Sequence, residues 1–207
     1  MKNRMKRIKL FAPLRVEPGL VANQEQKILL ARRFMKLLGW VRFTWDLAKL
    51  PPITSELPEH YQAGPAVHDD ELELRKVFSS SFMLDPVWNP ANGDIMQIVN
   101  SWLDRAITSD LSACLVLRHG HRIVGASILS FDPEAGNHLT PGPSILMEYR
   151  NRGFGTLLFE RSLHSLRQAG LTRASGIARE NAPVARFLYP KFGGSGESID
   201  LTPLLAA

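Results

Sequence analysis

Chemistry concentrates first in one short run, Glu148-Tyr149-Arg150-Asn151-Arg152-Gly153-Phe154-Gly155-Thr156, read between a strand and a helix. Glycines let a backbone turn tightly and approach a ligand, and a helix start offers unpaired N–H groups at the positive end of its dipole. That combination suits a phosphate or pyrophosphate, with Arg150 and Arg152 adding charge. No Lys follows the glycines, as a Walker loop requires. Leu158 stands where a dinucleotide fingerprint needs its third glycine, and no acidic residue ends a following strand at the expected distance. What remains is Arg-x-x-Gly-x-Gly.

A second run, Asn181-Ala182-Pro183-Val184-Ala185-Arg186-Phe187-Leu188-Tyr189-Pro190-Lys191-Phe192-Gly193, carries Ala185, Tyr189 and Gly193 four residues apart. Tyr189 has a phenol that stays protonated at neutral pH and can donate a proton; without a motif it reads as a core tyrosine. His138 lies before a strand, with an ordinary pKa suited to general-base work, and also reads as a loop histidine. Glu148 is a further carboxylate candidate beside the arginine turn. Cys114, the single cysteine, lies in an apolar strand and reads as a buried small hydrophobe rather than a nucleophile. His119 and His121 flank Gly120 in a turn and read as solvent-facing. Asp85, Trp88, Asn89 and Asn92 fall in a loop between two helices and read as helix-connecting structure. No Cys/His spacing fits a metal.

The elements that must position these residues follow from periodicity. A strand around 59–63 precedes a helix beginning near Asp69 or Asp70 with Leu74, Val77, Phe78 and Phe82 on one face, and a second helix covers about 94–108. The runs 113–118 and 122–131 around His119-Gly120-His121 read as a hairpin. Strand Ser144 to Met147 leads into the arginine turn, a helix to about Gln168 closes at Gly170, and Leu171 to Ile177 is the next strand. A helix from Pro183 to Phe192 and a strand at 198–201 complete the order.

The chain of 207 residues carries a net charge of +5, unevenly distributed. Residues 1–50 hold 12 Lys+Arg against 3 Asp+Glu, and the rest hold 13 against 17. A basic amphipathic arm, helical from Asn23 with Leu30, Phe34, Leu37, Leu38 and Val41 on one stripe, therefore precedes a mildly acidic body. The boundary is expected at Pro51-Pro52, giving an extension and linker over 1–52 and a domain over 53–207. A nucleic-acid binder would carry its basic patch on the folded part, so nucleic acid is not expected. The body's net of −4 hints weakly at a cationic acceptor. The arm could pack on the body or on a second subunit of a homodimer, lie peripherally on an anionic membrane, or dock a partner. With a lone cysteine and no apolar run near the ~20 residues needed to cross a bilayer, a cytoplasmic setting is expected.

Taken together, the Arg150-x-x-Gly153-x-Gly155 turn and the Asn181 to Gly193 segment resemble the coenzyme A loop and the tyrosine helix of the GCN5-related N-acetyltransferases, the GNAT superfamily. The resemblance covers about Leu57 to Leu201, with Asn181 one residue further upstream than is commonest in the family. It implies an α/β (α+β) fold with a mixed, mostly antiparallel sheet flanked by helices, behind a helical N-terminal extension. It further implies acetyl-CoA as co-substrate, no metal, and direct attack by the amine of a small-molecule or peptide acceptor. Amides from Arg152 through Gly153, Phe154 and Gly155 to Thr156 would hold the pyrophosphate, the strand at Ile145, Leu146 and Met147 the pantetheine arm, and Asn181 would also face the cofactor. Tyr189 would protonate the leaving thiolate, with His138 or Glu148 as base. The alternative is a catalytically silent module of the same fold that binds acyl-CoA as sensor or scaffold.

Overall fold

The computed structural model describes residues 39–84 and 92–200, and side chains from 96 onward in the second of these. Of the arm helix expected from Asn23 to Val41, residues 23–38 lie outside the described residues, as do the loop residues Asp85, Trp88 and Asn89, the side chain of Asn92 and residues 201–207, while Val41 lies in a strand.

Strand β1, Trp40–Asp46, opens the described chain. β2 (Tyr61–Pro65), α1 (Glu71–Met83), α2 (Asn92–Thr108), β3 (Ser112–His119), β4 (Arg122–Ser130) and β5 (Ser144–Ile145) follow, then α3 (Phe154–Gln168), β6 (Arg173–Arg179) and β7 (Ser195–Ile199). They form two sheets, β2-β3-β4-β5 and β6-β1-β7. Every strand pair described is antiparallel and helices pack on the sheets, the mostly antiparallel α/β fold that was expected.

Period-2 alternation on β3 builds two cores. Leu115 and Leu117 face α3 with Phe43, Trp45, Val124, Leu158, Phe159 and Tyr189. Cys114 and Val116 face α1 and α2 with Leu74, Val77, Phe78, Val99 and Leu103. Burying a side chain such as Leu74 or Phe78 contributes about 1.5–3 kcal/mol.

Three elements differ from the sequence expectation. Trp40–Asp46, inside the segment read as extension and linker over 1–52, is the middle strand of the β6-β1-β7 sheet. Its Val41, Phe43 and Trp45 alternate with Arg42, Thr44 and Asp46, so one face enters the core, and the two flanking strands satisfy its backbone. The expected strand from Ser144 to Met147 ends at Ile145, and Met147–Tyr149 is a 3-10 turn. The helix expected from Pro183 to Phe192 divides into a π-helical turn, Val184–Leu188, and a 3-10 turn, Pro190–Phe192. Pro190 has no N–H and its ring crowds the carbonyl four residues back; the Tyr189 amide reaches Val184 O instead, at 2.8 Å. Cys114 is buried and its thiol is pushed up to about 12 by desolvation, so it is an inert core residue.

Candidate active site

Between β5 and β6 the two sheets separate. The strand-like segment before β5 pairs with β4 through Leu139 and through the bonds Thr140 N–H to Ile128 O and Ile128 N–H to Pro141 O, both 3.0 Å. At its start the His138 amide donates to Ser175 O at 2.8 Å, which is the one backbone bond joining the sheets among the described residues. Beyond it Gly142 and Pro143 interrupt the strand, and β5 pairs with β4 alone. A gap flanked by unpaired strand edges is the result.

Leu146 donates its amide to Val124 O at 3.0 Å. Because main-chain groups alternate across an antiparallel ladder, Ile145, opposite Gly125, turns its main chain away from β4 while the amide of Leu146 is spent, and the Met147 carbonyl accepts from the Arg150 amide at 3.1 Å inside the 3-10 turn. Of the residues expected to hold a pantetheine arm, Leu146 therefore has no amide to offer. The Ile145 carbonyl accepts from Arg150 Nε at 2.9 Å, and a second guanidinium nitrogen reaches Ser81 O on α1 at 3.5 Å. Arg150 thus fastens the turn to β5 and α1, whereas Arg152 is exposed, 5.7 Å above the Tyr149 ring.

The turn is built for tight backbone approach. Asn151 (φ 60) and Gly153 (φ 82) are both left-handed, and Gly153 caps α3 without a side chain. Leu157 N–H makes the first bond of the helix, to Gly153 O at 3.1 Å. The amides of Phe154, Gly155 and Thr156 therefore have no backbone acceptor among the described residues. Phe154 is buried and stacks on Tyr61 with centroids 4.5 Å apart, so α3 starts from a fixed point. A Cβ on Gly155 would meet nothing closer than Ile145 at 3.9 Å, which leaves open space above the helix start. Three free amides at a helix start suit an anionic group such as a phosphate.

Tyr189 is 2% exposed and locked among aromatic rings, edge-on to Phe43 (5.2 Å) and Trp45 (5.0 Å) and stacked on Phe159 (4.9 Å). Its carbonyl accepts from the Trp45 indole at 3.3 Å. The hydroxyl lies against Gly142, where the strand breaks: a Cβ there would sit 2.7 Å from it. Burial holds the phenol above its ordinary range, so it is a neutral donor at the edge of the gap.

His138 is buried, and the Ser175 amide donates to its Nδ1 at 3.0 Å. The proton is therefore assigned to Nε2, which has no partner among the described residues. The lone pair that a base would use is engaged, and burial lowers the ring's pKa, so His138 acts as the pin between sheets. Glu148 is exposed and paired with Arg122 at 2.7 Å. The amide of its own residue, then Arg122, holds its carboxyl below the usual range, which makes it a poor base. Asn181 is exposed where β6 leads into the π turn. His119, expected to face solvent, is exposed but stacks on Tyr61 at 4.5 Å. No group of three or more His, Cys, Asp or Glu that could hold a metal occurs among the described residues. No helix there is long and apolar enough to cross a membrane.

A family model described as the acetyltransferase (GNAT) family matches residues 73–193. The chain belongs to the GNAT acetyltransferases. Among solved structures, it is similar to a GCN5-related N-acetyltransferase from Sphaerobacter thermophilus, at 17% identity over 81% of this chain and 53% of that one (TM-score 0.52). It is also similar to a conserved protein of unknown function from Staphylococcus epidermidis, at 14% identity over 87% of this chain and 66% of that one (TM-score 0.51). These two likenesses are of fold. A GNAT family acetyltransferase from Brucella melitensis, solved in complex with acetyl-CoA, aligns at 25% identity over 54% of this chain and 71% of that one (TM-score 0.42). This GNAT chain spans about half to two-thirds the length of several structures it resembles. A search among curated proteins finds no match.

The GNAT match starts at residue 73 and so leaves out β1, whose Phe43 and Trp45 wall the tyrosine. Alternation over Val41 to Asp46 is the signal that would have found it.

Proposed function

We propose that this GNAT protein transfers an acetyl group from acetyl-CoA to a primary amine by direct attack. The observation that carries the reading is the Tyr189 hydroxyl, held neutral at the sheet break where Gly142 makes room for it. The free amides of Phe154, Gly155 and Thr156 support it as the anchor for a pyrophosphate, and the Ile145 amide, turned away from β4, as a donor to the amide-bearing arm.

In the proposed step a neutral amine nitrogen bonds to the thioester carbonyl carbon and the carbon–sulfur bond breaks. The sulfur takes the Tyr189 proton, and the proton lost by the amine passes to solvent and restores the phenol. Tyr189 needs no partner to stay protonated, because burial disfavours the phenolate.

The test is amine-dependent release of CoA thiol over a panel of amines, with Tyr189→Phe beside the wild type. Loss of kcat with acetyl-CoA affinity retained supports the reading. Binding of acetyl-CoA with no turnover on any amine would instead support a silent acyl-CoA-binding module.

A further inference from the structure

The second face of the β6-β1-β7 sheet, opposite the aromatic core, presents Trp40, Arg42 and Thr44 on β1. Beside Arg42 stand Ile177 on β6 and Glu197 on β7, its register partners. Trp40 packs against the cluster built on α1 and α2, so this face lies on the α1 and α2 side. Ser175, the residue pinned to His138, is the register partner of Thr44 on it. The face therefore starts at the gap, since β6 is the strand edge bordering it, and Arg42 stands one strand further in, about 5 Å away.

Arg42 is a half-buried cation whose Nε is shut off from solvent and has no hydrogen-bond partner among the described residues. It makes no ion pair there; Glu197, across the ladder and exposed, does not reach it within 4 Å. An enclosed Nε without a partner is costly, and it leaves the two terminal nitrogens, which make no hydrogen bond or ion pair among the described residues, as the parallel N–H donors that can take a carboxylate end-on.

We infer that the acceptor is an amine carrying a carboxylate, and that Arg42 holds that carboxylate while the amine reaches the gap over Ile177. The inference rests on the acetyl-transfer reading and gives it a substrate class, short amino acids, opposite in charge preference to the cationic acceptor that an acidic body suggests. Arg42 is a specificity-determining residue whose distance of one strand from the gap limits the spacer between amine and carboxylate to a few bonds.

The test pairs each common amino acid, β-alanine and 4-aminobutyrate with its carboxamide, in CoA-release assays with wild type, Arg42→Gln and Arg42→Lys. The expected result is a preference of about tenfold or more in kcat/KM for the free carboxylate in at least one pair. Arg42→Gln should erase it through KM, Arg42→Lys should keep part of it, and the carboxamide's rate should stay unchanged. Amides preferred by the wild type, or a preference that survives Arg42→Gln, would overturn the inference. The N-acetyl forms of the same panel, titrated calorimetrically with and without CoA, give a readout free of turnover. Carboxylate-dependent binding that Arg42→Gln abolishes supports the site even if no amine is acetylated, an outcome that would sink the transfer reading alone. Binding that Arg42→Gln leaves unchanged, or its absence in the wild type, overturns the site.

Discussion

Replacing Gly142 by alanine tests the position of the Tyr189 hydroxyl. The new Cβ would lie 2.7 Å from the hydroxyl and 3.9 Å from the ring carbon that bears it. Gly142 is not among the positive-φ residues, so alanine meets no backbone strain. Nor can the ring retreat, with Phe43 and Trp45 against it and Phe159 stacked on it. Overpacking of this kind costs about 1–3 kcal/mol. Tyr189→Phe removes the clashing oxygen and leaves 3.9 Å, an ordinary contact, so Gly142→Ala/Tyr189→Phe should recover all but a few tenths of that cost. The phenylalanine variant alone should stay close to wild type in stability, because the hydroxyl has no hydrogen-bond partner among the described residues. A double-mutant cycle by urea denaturation should show a coupling of about 1–2 kcal/mol, well beyond the ~0.3–0.5 kcal/mol expected of independent sites. At a typical m-value the alanine variant's midpoint should drop by about 0.5–1 M. Additive costs would refute the placement of the hydroxyl at the sheet break.

Other consequences are as direct. Gly153→Ala forces a side chain onto φ 82 and should cost about 1–2 kcal/mol, with weaker acetyl-CoA binding in titration because α3 no longer starts in register. Glu148→Gln removes an exposed ion pair, and kcat should remain within about twofold; a loss of about a hundredfold would restore Glu148 as the base. Burial lowers the His138 pKa, so the unfolded chain takes up a proton first as pH falls. The stability His138 contributes is complete above about pH 6.5 and declines below it, until the folded ring is protonated too. The drop in Tm between pH 7.5 and 5.5 should therefore be smaller in His138→Gln; an unchanged drop would contradict the assignment of His138 as a neutral pin.

The glycine turn before α3 was legible because its signal is local: glycine at Gly153 and Gly155 between a strand and an amphipathic helix requires no long-range information. The same holds for α1, α2 and the β3-β4 hairpin. Strand β1 was obscured because a basic sequence with helical spacing runs into it, and the shared residue Val41 fits both periods. Only pairing with β6 and β7, more than 125 residues away, selects the strand. The π turn depends on how Pro190 redirects hydrogen bonds, which periodicity does not encode. Arg150 and His138 were legible as chemistry-bearing residues, but their work as fasteners follows from partners that the fold brings near, Ile145 and Ser81 for one and Ser175 for the other.

The proposed function has the start of α3 anchor the pyrophosphate of acetyl-CoA while the pantetheine arm carries the thioester to Tyr189. Amide NMR spectra recorded through a titration with acetyl-CoA test it most directly. Saturable shifts at Gly153, Phe154, Gly155 and Thr156, with the Ile145 and Met147 amides following, are the predicted result. Saturable binding that leaves these amides unmoved, or no binding at all, would contradict it.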